Sequence, residues 1–71
     1  MPQFDPDIVM TMRSALEQVM TLVPEQYATL GTKAYLAEAI LKAAARGETC
    51  YEGFIAAGSC EIQSVIKLLF N

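Results

Sequence analysis

The sequence predicts an all-α fold, in which a small bundle of about four helices forms one domain over residues 1–71. The first observation behind this prediction is that apolar residues recur at spacings of three and four along most of the chain, which is the period of an amphipathic α-helix. The second is that residue types favoured at helix starts precede these segments. No stretch alternates apolar and polar residues in the manner of a half-buried strand. The predicted helices span residues 6–22, 33–46, 50–57 and 60–70.

The first helix is predicted to begin at Pro6, because the side chain of Asp5 suits the N-cap position. A proline in the first turn costs no helical hydrogen bond, since the N–H groups there have no partner within the helix. Pro24 disfavours helical geometry at the residue before it, so the helix is expected to end there. Residues 24–32 then form a connector with room for one short turn. The inner face of the helix consists of Ile8, Val9, Met12, Leu16, Val19, Met20 and Val23.

The second helix has Thr32 as its predicted N-cap. Glu38 and Lys42 stand four residues apart, in the order that favours an ion pair on a helix surface. Gly47 follows the last turn and is placed to take the left-handed conformation that ends many helices. The broad apolar face of this helix consists of Leu36, Ala37, Ile40, Leu41, Ala43 and Ala44.

The third and fourth helices are predicted from the segment that follows. The tetrapeptide TCYE at 49–52 fits a capping box, in which the first and fourth side chains each accept a hydrogen bond from the other residue's backbone amide. Gly58 is expected to end the third helix, which Gly53 weakens from within. Ser59 is expected to cap the last helix. The inner stripe of that helix consists of Ile62, Val65, Ile66, Leu69 and Phe70.

One resemblance covers about residues 4–48. The run Phe4-Asp5-Pro6, the pair Pro24-Glu25 and the segment TKAYLAEAILKAAARGE, from Thr32 to Glu48, resemble a set of short bacterial proteins of unknown function. This resemblance is a helix pattern with caps and contains no catalytic motif. It implies an all-α fold and a bacterial, cytosolic origin, and it transfers no site residues.

The composition disfavours nucleic acid and membrane partners. Five basic residues against eight acidic ones give a net charge of −3, and the bases are scattered, so no basic patch attracts phosphates. The start MPQFDPDIVM does not fit a signal peptide, and no segment is expected to approach the roughly 20 apolar residues of a membrane span. We therefore expect a cytoplasmic protein, in which Cys50 and Cys60 are free thiols and at least one of them is buried.

The residue types of most catalytic sites are missing. The chain has no histidine, which excludes Ser-His-Asp and Cys-His arrangements and removes a common metal ligand. Cys50, Cys60, Glu52 and Glu61 are four potential metal ligands, but the spacing of the cysteines matches no zinc motif. The glycines do not form a phosphate-binding pattern. We expect no enzymatic activity, no cofactor and no bound metal.

The favoured function is a protein-interaction domain that self-associates. The last helix carries apolar side chains around most of its surface, and a domain this small cannot bury all of them. A homodimer, or a complex with another protein, would cover them. The expected interface consists of Ile62, Val65, Ile66, Leu68, Leu69 and Phe70, with Tyr51 and Phe54 at its edge.

The alternative function is a DNA-binding regulator of the helix-turn-helix type. The order of a support helix, a short helix at 50–57, a turn at Gly58 and a last helix resembles that motif. A reading helix at 60–70, however, offers DNA only Gln63, Ser64 and Lys67, and Glu61 would repel phosphate. DNA binding is therefore the less favoured function.

Overall fold

A computed structural model describes residues 5–70 of the chain. Within that range the secondary structure is helical and includes no β-strand, which confirms the all-α class. The elements are α1 (Pro6–Leu22), one turn of 3₁₀ helix (Glu25–Tyr27), α2 (Leu30–Ala45), α3 (Tyr51–Ser59) and α4 (Ile62–Phe70).

The last two elements are parts of one bent helix, so the prediction of a four-helix bundle is wrong and the fold has three helices over the described residues. Cys60 keeps helical backbone angles, φ −65° and ψ −20°, and its N–H donates to the carbonyl of Ala56 at 3.1 Å. The N–H of Glu61 donates to the carbonyl of Gly58 at 3.0 Å. Gly58 therefore does not end the helix. Ser59 does not cap a new one, because its hydroxyl donates back to Ala56 at 3.3 Å.

The start and end of α1 confirm the predicted bounds. The Asp5 carboxylate accepts a hydrogen bond from the N–H of Asp7 at 2.9 Å, and Pro6 occupies the first turn. The helix ends before Val23, whose backbone is extended ahead of Pro24. The predicted short turn in the connector is the 3₁₀ helix.

The start of α2 lies three residues earlier than predicted. Thr29 is the N-cap, and its hydroxyl oxygen accepts a hydrogen bond from the N–H of Thr32 at 3.2 Å. Thr32 lies in the first turn and is fully buried, so it is not the cap. Two threonines three residues apart are equally suited to this position by residue type. In the structure the 3₁₀ turn ends at Tyr27, and Thr29 has the extended backbone of an N-cap residue.

The end of α2 confirms the predicted role of Gly47. Its φ is +104°, and its N–H donates to the carbonyl of Ala44 at 3.0 Å. The N–H of Glu48 donates to the carbonyl of Ala43, also at 3.0 Å, which completes a Schellman motif. On the surface of α2, the predicted pair of Lys42 and Glu38 forms at 3.5 Å.

The predicted capping box at 49–52 is wrong. Glu48, and not Glu52, supplies the carboxylate, which accepts hydrogen bonds from the N–H groups of Thr49 at 3.1 Å and Cys50 at 3.0 Å. Cys50 occupies the N-cap without a side-chain hydrogen bond. The Glu48 carboxylate also fills the position that a side chain at Gly53 would occupy. The glycine that weakens α3 therefore makes room for the loop that precedes it.

The core consists of two adjoining clusters, with Leu16 and Ile55 packed against both. Each cluster combines residues from α1, α2 and the bent helix, so all three helices are needed to close it. The buried members of the first are Met12, Ala15, Ile40 and Phe54. Those of the second are Val19, Val23, Leu36 and Val65.

Gly58 on α3 packs closely against Val19 on α1. A Cβ atom placed on Gly58 would lie 2.9 Å and 3.1 Å from the two methyl carbons of Val19. Val19 is fully buried, and its branched side chain has little rotamer freedom in a helix. Gly58 is therefore needed for packing within the helix and not for ending it.

We predict that Gly58→Ala destabilises the protein. Replacing a helical glycine by alanine normally stabilises by about 1 kcal/mol, whereas overpacking a core costs roughly 1–3 kcal/mol. The expected net effect is a loss of about 1 kcal/mol in the free energy of unfolding, measured by urea denaturation.

Gly31→Ala is the matched control, because Gly31 is also helical. Its added Cβ would meet Leu69 at an ordinary contact distance of 3.5 Å. This substitution is expected to raise stability by up to about 1 kcal/mol. Equal effects of the two substitutions would contradict the role assigned to Gly58.

Candidate functional site

The helix α4 carries apolar side chains on more of its surface than the core covers. At 100° per residue, its apolar positions occupy about 200° of the helix, and Gln63, Ser64 and Lys67 occupy the remainder. Val65 is the one residue of α4 that is buried. The apolar surface on either side of it is in part exposed to solvent.

Two of the predicted interface residues are buried inside the chain, which corrects their assignment. Val65 and Phe54 each have 0% exposure and belong to the two core clusters. Ile62 and Ile66 are partly buried, and Ile62 packs against the second cluster. The sequence could not separate these residues from the exposed ones, since the apolar positions of α4 span about 200° of the helix, which is wider than the face that the core covers.

Three consecutive apolar residues at the end of α4 are exposed to solvent. Leu68 is 66% exposed, Leu69 is 47% exposed and Phe70 is 40% exposed. Tyr51 is also exposed, but it stands 17 positions earlier, which is about 25 Å along a helix. Tyr51 therefore does not belong to the same surface.

The connector and the start of α2 add residues that the sequence analysis missed. The ring of Tyr27 contacts that of Phe70, with centroids 5.0 Å apart and planes tilted by 59°. A methyl group of Leu69 lies over Gly31, and the neighbouring Leu30 is 86% exposed. We call the surface formed by Tyr27, Leu30, Leu68, Leu69 and Phe70 the C-terminal patch. The sequence signal for it was the apolar residue Leu30 and the aromatic residue Tyr27 within the segment predicted to be a connector.

The bent helix does not favour the helix-turn-helix arrangement. That motif joins two helices at roughly 90–120° through a turn of three or four residues. In this chain Ser59 ends α3 with its hydroxyl bonded inside the helix, and the backbone hydrogen bonds continue through Cys60 and Glu61. Cys60 and Glu61 alone therefore join the two helices, which is a shorter connection than the motif uses to position a reading helix.

The bent helix also has the length and composition of a membrane span. It runs for 20 residues, Tyr51–Phe70, with a mean hydropathy of 1.3 over a window that is 17% buried. The expectation that no segment approaches the length of a membrane span is therefore wrong by length and composition. Crossing a bilayer would remove Phe54 and Val65 from the core, so a membrane-spanning state and this fold exclude each other. The predicted cytoplasmic location stays a prediction.

Both cysteines are exposed, so the prediction that at least one is buried is wrong. Cys50 is the N-cap of α3, and Cys60 lies in the bend of the helix, in a shallow groove beside Arg46. Over residues 5–70, no group of three or more histidine, cysteine or acidic side chains is close enough to hold a metal ion.

Comparison of the chain with protein-family models, with curated proteins and with solved structures finds no significant match in any of the three. The resemblance of residues 4–48 to short bacterial proteins therefore stays a prediction. The function has to be inferred from the surfaces of the chain itself.

We predict that both thiols react in the native protein, because both side chains are exposed. Titration with a chromogenic disulfide reagent, without denaturant, is expected to release two equivalents of chromophore per chain. Adding urea should leave this number unchanged. A second equivalent that appears only on unfolding would show that one thiol is buried in solution.

Proposed function

We propose that this chain is a non-enzymatic protein-interaction domain that forms a homodimer through the C-terminal patch. The observation that supports the proposal is the run of Leu68, Leu69 and Phe70, which are between 40% and 66% exposed at consecutive positions. Leu30, at 86% exposure, extends the same end of the molecule. Consecutive residues are about 100° apart on a helix, so these side chains surround the end of α4. Exposed apolar area gathered at one end of a small domain is typical of a contact with another protein.

A second copy is the partner that best fits this patch. The five residues that define it carry no charge, so two identical patches meet without repulsion between like charges. The polar residues of α4, Gln63, Ser64 and Lys67, are exposed and lie at its margin. An apolar centre with a polar rim is the ordinary composition of a protein interface. A two-fold dimer, in which the same surface meets itself, is the commonest closed assembly.

The expected dimer is weak. Full burial of a leucine or phenylalanine side chain contributes about 1.5–3 kcal/mol, and the patch residues on α4 are already half covered within the chain. Association itself costs about 4–15 kcal/mol in lost translational and rotational freedom. The gain from burial is not much larger than the cost of association. We therefore expect a weak dimer, with a dissociation constant in the micromolar range or larger.

The remaining features are consistent with a binding function and do not require an enzyme. The chain has no histidine, and two of its carboxylates form exposed ion pairs, Glu17 with Lys33 at 3.2 Å and Glu38 with Lys42. The helix-turn-helix alternative has no comparable support, because the chain is acidic and only two residues, Cys60 and Glu61, join its last two helices.

We predict that Leu68→Glu abolishes dimer formation without unfolding the chain. The residue is 66% exposed, so the substitution places two charges in the interface and removes little core packing. Sedimentation equilibrium at tens to hundreds of micromolar protein should show the wild-type chain self-associating and the variant as a monomer.

Met10→Glu is the matched control, since Met10 is also 66% exposed and lies on α1 near the other end of the fold. It adds the same charge to the chain and should leave the dimer intact. A wild-type monomer at these concentrations would contradict the proposal. So would equal dissociation by the two variants, which would point to net charge as the cause.

A further inference from the structure

The last turn of α4 contacts two other parts of the fold, the 3₁₀ turn and the start of α2. The ring of Tyr27 lies against that of Phe70, with the centroids 5.0 Å apart and the planes tilted by 59°. These values fall within the range in which two aromatic rings attract each other. A methyl group of Leu69 lies 3.5 Å from the position that a Cβ atom would take on Gly31. The two contacts join the end of α4 to residues far earlier in the chain.

Tyr27 is held in place mainly by groups outside α4. Its N–H donates to the carbonyl of Pro24 at 2.8 Å, and its own carbonyl accepts a hydrogen bond from the N–H of Thr29 at 2.9 Å. Its side chain is partly buried and packs against the second core cluster, three of whose four buried residues lie outside α4. The position of the ring is therefore set by the connector and the core, and the end of α4 packs against it.

The end of α4 needs such a support to keep its helical conformation. The last four carbonyl groups of a helix have no hydrogen-bond partner within it, and helix ends fray for that reason. Val65 is buried, and it lies five positions before Phe70. More than one helical turn therefore separates the buried part of α4 from its end. The contact of Phe70 with Tyr27 ties the far end of that turn to the core.

We propose that Tyr27 is a positioning residue of the C-terminal patch, which orders the last turn of α4 before a second copy binds. This inference rests on the proposed homodimer. Leu68 and Leu69 lie on that turn, with 66% and 47% exposure, so their arrangement in the patch depends on its helical conformation. A segment that is ordered before association loses less entropy when the complex forms. Tyr27 therefore strengthens the dimer through Phe70 of its own chain, in addition to the area that its ring contributes to the patch.

Hydrogen exchange followed by mass spectrometry tests the ordering step in the monomer. The full chain is measured well below the expected dissociation constant. Tyr27→Leu keeps an apolar side chain against the second core cluster and removes the ring. It should speed exchange in the peptide that contains residues 66–70 by about three- to tenfold, and it should leave exchange in α1 unchanged. Tyr27→Phe keeps the ring and should exchange like the wild-type chain.

Tyr35→Leu is the matched control. Tyr35 is also partly buried and packs against the second core cluster, but its hydroxyl donates to Glu61 at 3.5 Å, just before α4 begins. This substitution should leave exchange at residues 66–70 at the wild-type rate. Combining Tyr27→Leu with Phe70→Leu should speed exchange no further than either substitution alone, after correction for intrinsic rates, because the effect of Tyr27 is exerted through the ring of Phe70.

Sedimentation equilibrium of the same variants measures the effect on the dimer. Tyr27→Leu should raise the dissociation constant about three- to tenfold, because the last turn must then be ordered during association. Tyr27→Phe and Tyr35→Leu should leave the dissociation constant unchanged.

Three results would overturn the proposal. Unchanged exchange at residues 66–70 in Tyr27→Leu would show that Tyr27 does not order the last turn. Faster exchange throughout the chain would show a general loss of stability instead. Faster exchange at residues 66–70 with an unchanged dissociation constant would show that this order does not affect association. A wild-type chain that does not self-associate would overturn the homodimer and with it the role of Tyr27 in association, and the exchange rates would still show whether Tyr27 orders α4.

Discussion

The packing of the bent helix into the angle between α1 and α2 is the constraint on which the rest of the structure depends. The bent helix contributes two fully buried side chains to the core, those of Phe54 and Val65. Its Gly58 lets the backbone of α3 approach Val19 on α1. Phe54 belongs to one core cluster and Val65 to the other. Without the bent helix, α1 and α2 would contact each other over a narrow seam and leave most of their apolar residues in water.

The continuity of α3 and α4 determines the shape of the molecule. Because the backbone hydrogen bonds continue through Cys60 and Glu61, α4 extends away from α3 and contacts α2 near Gly31. The molecule is accordingly elongated, with extents of 35 × 21 × 18 Å, and its long dimension is close to the roughly 30 Å of a 20-residue helix.

Two apolar surfaces of the chain are open to solvent. The first is the C-terminal patch, whose five residues carry no charge, as the proposed homodimer requires. The second is a groove between α1 and α2, lined by Val9, Met12, Leu16, Ala37, Ile40 and Leu41. The two surfaces share α2 but have no residue in common.

Local chemistry in the sequence determined the fold class, the bounds of α1, the left-handed residue Gly47 and the ion pair of Glu38 with Lys42. These features depend on neighbours within about five positions, where cap preference, helical period and backbone conformation agree. The errors lie where two local solutions compete. Thr29 and Thr32 are both good caps, and Glu48 and Glu52 can both accept hydrogen bonds from the amides at the start of α3.

Tertiary packing decided the remaining features. The most important are the continuation of the helix through Gly58 and the exposure of the apolar residues of α4. A glycine after a short helical segment is typical of a helix end. Here a glycine is needed because Val19 lies too close to leave room for a side chain. Val65 and Leu68 are both apolar residues on one helix, yet one is fully buried and the other is 66% exposed. The sequence by itself determined that α4 has more apolar surface than a small domain can bury. Only the three-dimensional packing decided which part of that surface faces solvent, because burial depends on the position of α2 relative to α4, and that position is set by contacts between residues far apart in the chain.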